Sequence, residues 1–251
     1  MDTDKRAENR GVEIRVGTSG WHYNHWRGPF YPEKIPVSRM LGFYSERFNT
    51  VELNNTFYRL PPEGAAEEWK RAAPAGFLFA AKGSRFLTHM KKLKDNGPGI
   101  DNFFAHVEGL GRKLGPIVFQ LPPRWQANPE RLDAFLVSLP KRRRYAFELR
   151  DPSWHVPEIY AILKRHRVAF CIFEIAGWQS GYEITADFTY IRLHGPDGAY
   201  QGRYSKSALR GWAKRLDEWG RKLRAAYVYF DNDQAGYAAA NAMELKQMLG
   251  Q

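Results

Sequence analysis

Three segments of the chain place ionisable or amide side chains two residues apart inside otherwise apolar runs. "VELN" carries Glu52 and Asn54, "FELR" carries Glu148 and Arg150, and "IRLH" carries Arg192 and His194. In extended backbone successive side chains alternate, so each pair shares one face while Val51, Leu53, Phe147 and Leu149 take the other. Lys82, closing "FLFAAK", adds a fourth charged position of the same kind. An unpaired buried charge costs several kcal/mol, so these groups must pair with one another, stay hydrated or be held for a ligand. Glu52 and Glu148 would then form a carboxylate pair for general acid–base work, with His194 as an acid and either glutamate as the base. Neighbouring arginines would instead keep both carboxylates ionised. A Glu–Arg network that satisfies itself at the barrel top is the competing reading and needs no ligand.

The cations suggest what a ligand would be. Lys82, Arg150 and Arg192 suit phosphate oxygens, and Trp21, Tyr58 and Trp154 offer flat surfaces for stacking. The aromatic-rich stretch "VGTSGWHYNHWRGPFYP", residues 16–32, has turn punctuation and no regular period, and its rings are expected to line the site. A formal net charge of +11 favours anionic partners, either a phosphate-bearing small molecule or nucleic acid. The expected activity is binding, with hydrolysis of a phosphodiester or glycosidic bond as its catalytic version. A sugar- or metabolite-processing hydrolase or isomerase using Glu52 and Glu148 is the alternative, as is a non-catalytic binding protein. No phosphate-loop, H-E-x-x-H, G-x-S-x-G or paired C-x-x-C motif is present. No cofactor is expected. A divalent metal on His22, His25, His89, His155 or His194 is the less favoured reading, because Lys82, Arg150 and Arg192 would repel it.

These residues need a frame to bring them together. Eight short runs read as strands: 13–17, 50–54, 77–82, 116–121, 145–149, 168–173, 189–194 and 226–230. Their near-continuous apolarity suits strands covered on both faces of a parallel sheet. Helical patterns lie between them. Leu209, Trp212, Leu216, Trp219 and Leu223 form a core-facing stripe. Asn128 with Pro129 opens one helix, Asp101 is expected to cap another ending at Gly115, and "DQAGYAAANAMELKQMLG" supplies the last. This alternation predicts an α/β fold, a single parallel eight-stranded (β/α)8 TIM barrel with a short or irregular sixth helix. An open doubly wound sheet is the runner-up. In the barrel, Glu52, Lys82, Gln120, Glu148, Arg192, His194 and Asn232 all fall at or near strand C-termini, where such folds carry their sites. The basic run Lys141–Arg144 falls at the opposite pole and reads as a solvated face.

Residues 1–11 are polar and read as a poorly ordered N-terminal extension to one domain spanning 12–251. No segment approaches the ~18 apolar residues of a membrane span, so no membrane is expected. A lone cysteine, Cys171, sets a reducing, cytoplasmic location as the default expectation.

Taken together, "GTSGWHYNHWRGPFYP", "TVELNNTFYRLP", "FLFAAKGSRFLTH", "GPIVFQLPPRW", "AFELRDPSW", "YIRLHGP" and "YVYFDND…AANA" resemble, in order, the motifs of the YecE-like family, domain of unknown function 72. The resemblance covers about residues 12–249. It implies a TIM barrel with a polar, aromatic-lined pocket at the strand C-termini and no settled activity. In the matching motifs it marks Trp21, Glu52, Asn54, Tyr58, Lys82, His89, Gln120, Glu148, Arg150, Trp154, Arg192, His194 and Asn232 as pocket residues. A suspected relationship to metal-dependent barrel endonucleases and isomerases is an analogy of fold, and their metal clusters are not reproduced in this sequence.

Overall fold

A computed structural model describes residues 12–94 and 97–251, so the extension read over residues 1–11 lies outside the described residues. The strands are β1 (Glu13–Thr18), β2 (Thr50–Leu53), β3 (Leu78–Lys82), β4 (Leu114–Gln120), β5 (Tyr145–Glu148), β6 (Ala169–Ile175), the two-residue β7 (Trp178–Gln179), β8 (Phe188–Leu193) and β9 (Ala225–Phe230). All eight expected strands are therefore present within a few residues. They run parallel in the order β1-β9-β8-β6-β5-β4-β3-β2. A parallel bridge between Ser19 and Glu52 joins the two end strands, so the sheet is a nearly closed (β/α)8 barrel and not an open one.

Helices cover the outside: α1 (Val37–Ser45), the single-turn α2 (Asn55–Tyr58), α3 (Ala65–Ala72), α4 (Pro98–Val107), α5 (Pro129–Ser138), α6 (Pro157–His166), α7 (Lys206–Gly220) and α8 (Tyr237–Met248). Asn128 caps α5 as expected, its Oδ1 accepting from the Arg131 amide at 2.8 Å. The α7 stripe also faces inward, with Leu209, Trp212 and Leu216 buried. Two expectations need correction. Helix α4 starts earlier than Asp101, at Pro98, where proline's fixed φ suits the first helical position, and a 3₁₀ segment over Glu108–Lys113 follows it. No helix separates β6 from β8; β7 folds back antiparallel on β6 in its place. The "EIAGWQSGYEITAD" segment has room for a hairpin but not for a helix long enough to span the barrel wall.

Two apolar layers result. The outer one lies between strands and helices and is rich in Phe, Leu and Ile. The inner one fills the barrel with Ala80, Val118, Ala146, Ala169, Cys171, Phe188, Tyr190, Ala225, Tyr227 and Tyr229, small residues opposite large ones. Gly17 makes this closure possible. A Cβ there would stand 2.3 Å from the Thr50 carbonyl oxygen, so β1 can approach β2 only without a side chain. At the lower pole, Arg144 leaves the solvated face expected for Lys141–Arg144. Its Nη1 donates to the Tyr227 hydroxyl at 2.5 Å, plugging the barrel floor.

Candidate functional site at the barrel mouth

Above the tyrosine layer, the inward alternation continues into charge. Arg192 of β8 is fully buried and donates to three carboxylates: Glu52 (Nη2–Oε1 2.6 Å, Nε–Oε2 3.0 Å), Glu148 (Nη1–Oε2 2.7 Å) and Asp231 (Nη2–Oδ2 3.1 Å). Glu52 also accepts from Ser19 Oγ and from the Tyr190 hydroxyl, each at 2.6 Å. His194 stands between Asp231, 2.9 Å from Nδ1, and Glu148, 3.1 Å from Nε2. Arg150 closes the assembly from above, with Nε donating to Glu148 Oε1 at 2.5 Å and Nη2 lying 3.1 Å from His194 Nε2.

The sequence places all these groups by one rule. Tyr190, Arg192 and His194 alternate along β8, as do Tyr229 and Asp231 along β9, so aromatic floor and ionic ceiling come from the same inward faces. Burial by itself would raise the Glu148 carboxyl, but Arg150 and Arg192, with His194, more than reverse this and hold it well below the ordinary value. Asp231 is held down in the same way by Arg192, His194 and Lys82 against its burial. Glu148 and Asp231 are thus ionised, and all three carboxylates are paired and sealed.

Lys82 differs from every other cation here. It is 3% exposed, and among the described residues its amine has no carboxylate within 4.0 Å. Its one hydrogen bond runs to Asn54 Oδ1 at 3.3 Å, and Nζ rests 4.3 Å above the centre of the Phe57 ring. Burial, aided by the charge of Arg192 and opposed by Asp231, Glu148 and Glu52, lowers its pKa to about 8. The backbone beneath is pinned by Thr56 of α2, whose hydroxyl lies 2.7 Å from the Leu53 carbonyl and 2.6 Å from that of Lys82. The same turn of helix therefore sets Phe57 under the amine and leaves Tyr58 in solvent, 66% exposed. Tyr58 shares the electric field of Tyr200, Asp231, Arg192 and Arg150.

On the next loop a π-helical turn, Phe86–Met90, carries His89. Its ring meets Phe57 edge-on at 5.0 Å, and its Nδ1 lies 2.9 Å from Thr88 Oγ1. Burial first, then the charges of Lys82, Arg85 and Arg150, lower His89 to about 4, so it is a neutral imidazole at pH 7. Gln120 lies beside Glu148 in the β4–β5 register, 5% exposed, and its side chain makes no hydrogen bond to a described residue.

The structure thus gathers Glu52, Asn54, Tyr58, Lys82, His89, Gln120, Glu148, Arg150, Arg192 and His194 at one pole. Three expected members stand apart. Trp154 is fully buried, its indole donating to the Trp125 carbonyl at 2.6 Å, and presents no face for stacking. Trp21 is 6% exposed and packs on Trp69 and Phe79, and it lines, with Leu41 and Trp69, a lateral groove of about 350 Å3. Asn232 ties loops together, its Nδ2 donating to the Gly202 carbonyl and to Asn241 Oδ1. The aromatic stretch over residues 16–32 is accordingly a packed loop: Trp26 and Tyr31 are buried on each other and on Phe30. Burial claims these rings because the loop crosses the β1–α1 junction over the outer core, where an exposed indole would forfeit apolar contact.

Sequence reasoning missed Tyr200. It lies in the loop after β8, 39% exposed, with its hydroxyl 3.3 Å from Arg150 Nη1 and its ring edge-on to His194. The available signal was a lone ring between Gly198 and Gly202 in a loop leaving a strand end. Tyr190 was likewise outside the expected set, although strand alternation places it on the inward face. Among the described residues no group of three or more His, Cys, Asp or Glu side chains is arranged to hold a metal ion, and Arg192 occupies the position among the carboxylates that a cation would take. No helix among the described residues is long and apolar enough to cross a membrane.

Comparison with known proteins agrees with this architecture. The family model described as "Protein of unknown function DUF72" matches residues 15–251. The chain is similar to the UPF0759 protein YunF of Bacillus subtilis (strain 168), at 26% identity over 94% of each chain. Its backbone is similar to the crystal structure of a DUF72 family protein from Thermotoga maritima MSB8, with 30% identity, a TM-score of 0.87, and 95% of this chain and 100% of that one covered. A DUF72 family protein from Enterococcus faecalis V583 shares the fold at 18% identity, with a TM-score of 0.82 and 95% and 96% of the two chains covered. With a match from β1 to the C-terminus, carried by both sequence and backbone, the chain belongs to the DUF72 family.

Proposed function

We propose that the protein binds a compact phosphate-bearing ligand at the barrel mouth. Lys82 and Arg150 hold the phosphate, and Tyr58 and Tyr200 flank the rest of the molecule. One observation carries the reading: Arg192 consumes the three carboxylates from below, while the Lys82 amine is buried without a carboxylate partner. A buried cation in that condition is stabilised by an incoming anion, and charge-assisted hydrogen bonds to phosphate are among the stronger polar contacts. The acids are 0–5% exposed and the Arg150 side chain is 10% exposed, so the outermost charge of the assembly is positive. Recession of Lys82 favours the terminal phosphate of a small molecule over the continuous backbone of nucleic acid.

Acid–base chemistry by the Glu52–Glu148 pair finds less support. Both oxygens of Glu52 already accept two hydrogen bonds each, and Glu148 is held ionised. In this reading Glu52, Glu148 and His194 fix the cations in place. Calorimetric titration with pyrophosphate, a nucleoside monophosphate and a single-stranded oligonucleotide tests it. Micromolar binding of the small phosphates, weakened roughly tenfold or more in Lys82→Met, is expected from the ~1.5–3 kcal/mol of a hydrogen bond to a charged group. Tight oligonucleotide binding that falls steeply with salt would transfer the reading to a polynucleotide. Absence of binding to all three would defeat it.

A further inference from the structure

We propose that Lys82 is a nucleophilic amine that forms an imine with the aldehyde of a short phosphorylated carbon chain bound at the barrel mouth. The inference rests on the anion site just described and names its substrate class. It begins from how Lys82 is held. Holding an anion uses the ammonium form of Lys82, and the same burial also makes its neutral form accessible. Here three potential donors meet one amide oxygen at 3.3 Å, and the face of Phe57 covers the other side. Burial and the lack of an ion pair within 4.0 Å favour the uncharged base, which is the nucleophilic form, and outweigh the attraction of the Phe57 ring face for the ammonium ion.

The charges around the amine oppose one another, and burial sets the net direction. Arg192 opposes protonation, and Asp231, Glu148 and Glu52 favour it, but those acids are committed to Arg192. With a pKa of about 8, about one amine in ten is unprotonated at pH 7, against about one in three thousand for an ordinary lysine. His89, a neutral imidazole at pH 7, meets the same Phe57 ring edge-on and adds no positive charge beside the amine.

The division of labour follows from the chemistry. Arg150, with its Nη1 and Nη2 atoms facing Tyr200 and His194, anchors the phosphate; Lys82 shares that task as the ammonium ion when no carbonyl is present, and as the free amine it meets the carbonyl of a bound aldehyde. The lone pair of Nζ attacks the carbonyl carbon, the C=O π bond breaks, and one N–H proton passes to the carbonyl oxygen, giving a carbinolamine. Its hydroxyl group then leaves as water, taking the second proton lost by the nitrogen, and a C=N bond replaces C=O. No oxidant or reductant is needed. Of the cations gathered at the mouth, Lys82 alone has a nitrogen able to do this, because a guanidinium stays protonated and is a poor nucleophile.

Trapping with cyanoborohydride tests the inference on the intact protein. The protein is incubated with glycolaldehyde phosphate or with unphosphorylated glycolaldehyde, reduced, and mapped by peptide mass spectrometry. Expected is a stable adduct concentrated on Lys82, formed at least tenfold faster than on the exposed lysines 91, 92 and 94. Its rate should rise with pH and level off near pH 8. Selective labelling of Lys82 by the phosphorylated aldehyde, suppressed by pyrophosphate, supports both the imine and the anion site. Selective labelling by glycolaldehyde alone supports the imine and removes the anion site. Labelling of Lys82 no faster than that of the exposed lysines, with either aldehyde, overturns the inference, whether or not pyrophosphate binds. Because the readout is the site of modification in the unmutated chain, it does not depend on the folding of a Lys82 variant.

Discussion

Arg192 grips Glu52 with two parallel hydrogen bonds, Nη2 to Oε1 at 2.6 Å and Nε to Oε2 at 3.0 Å, and neither side chain reaches solvent. This pair spans the barrel from β8 to β2, and Glu52 itself carries the bridge to Ser19 that closes β2 on β1. The ionic cluster is therefore part of the barrel's closure as well as the floor of its mouth. Its geometry explains why the acids do not present themselves to solvent.

Replacing Arg192 by Met should be severe. The apolar side chain would leave Glu52, Glu148 and Asp231 within one buried volume, with Arg150 able to reach only Glu148. Removing one partner of a buried ion pair costs about 3–5 kcal/mol. We expect a loss at or above that range in urea unfolding, or failure to fold. Arg192→Lys should rescue little, because an ammonium ion cannot serve two carboxylates with planar, paired donors. A variant with near-native stability would show that the cluster is not structural.

Acid should unfold the protein through the same cluster. Glu148 and Asp231 have folded-state pKa values below their ordinary 4.5 and 3.8. As pH falls past those ordinary values, the unfolded chain takes up protons that the folded chain does not. Stability is then fully present above about pH 4.5 and declines below it. His89, lowered to about 4, adds a smaller decline that begins near pH 6.5, moderated by its partial exposure. Denaturant midpoints measured from pH 7 to pH 3 should show both phases; His22, also lowered by burial, shares the earlier one, so His89→Asn should shrink that phase and leave the later one.

Much of this was legible in the sequence, for a definite reason. Strand alternation fixes which side chains point inward, so Glu52, Glu148, Arg192 and His194 could be brought together before any coordinates were known. Their pairing could not be read, because it depends on which strands face one another across the barrel. Aromatics misled for a related reason. Trp21, Trp26 and Trp154 sit in turn-rich segments that resemble ligand-lining loops, yet each is buried by tertiary packing that local sequence does not encode. Tyr200 escaped notice because its position depends on a loop whose path is set by Gly195, where a Cβ would stand 2.1 Å from the Gln201 carbonyl oxygen.

Gly17→Ala gives a direct test of barrel closure. The added methyl would meet the Thr50 carbonyl oxygen at 2.3 Å, a backbone atom in a strand that cannot rotate aside. Overpacking of this kind costs typically 1–3 kcal/mol, and here it also pushes β1 from β2 where Ser19 meets Glu52. Thermal unfolding should show a loss toward the upper end of that range. A neutral effect would mean that the β1–β2 seam is open in solution.

Trp154 and Tyr58 separate packing from recognition. Trp154→Phe removes an indole N–H from the Trp125 carbonyl and part of a fully buried ring, so it should cost about 2–3 kcal/mol of stability and leave phosphate affinity within twofold. Tyr58→Ala removes a ring that is 66% exposed, so stability should change by less than about 0.5 kcal/mol. If Tyr58 flanks the ligand, affinity for a nucleoside monophosphate should fall severalfold while affinity for pyrophosphate, which has no ring to stack, should hold. Unfolding curves and titrations on the two variants check these opposed outcomes. Loss of phosphate affinity in Trp154→Phe at unchanged stability would restore the indole to the site, and equal affinity for both ligands in Tyr58→Ala would remove the phenol from it.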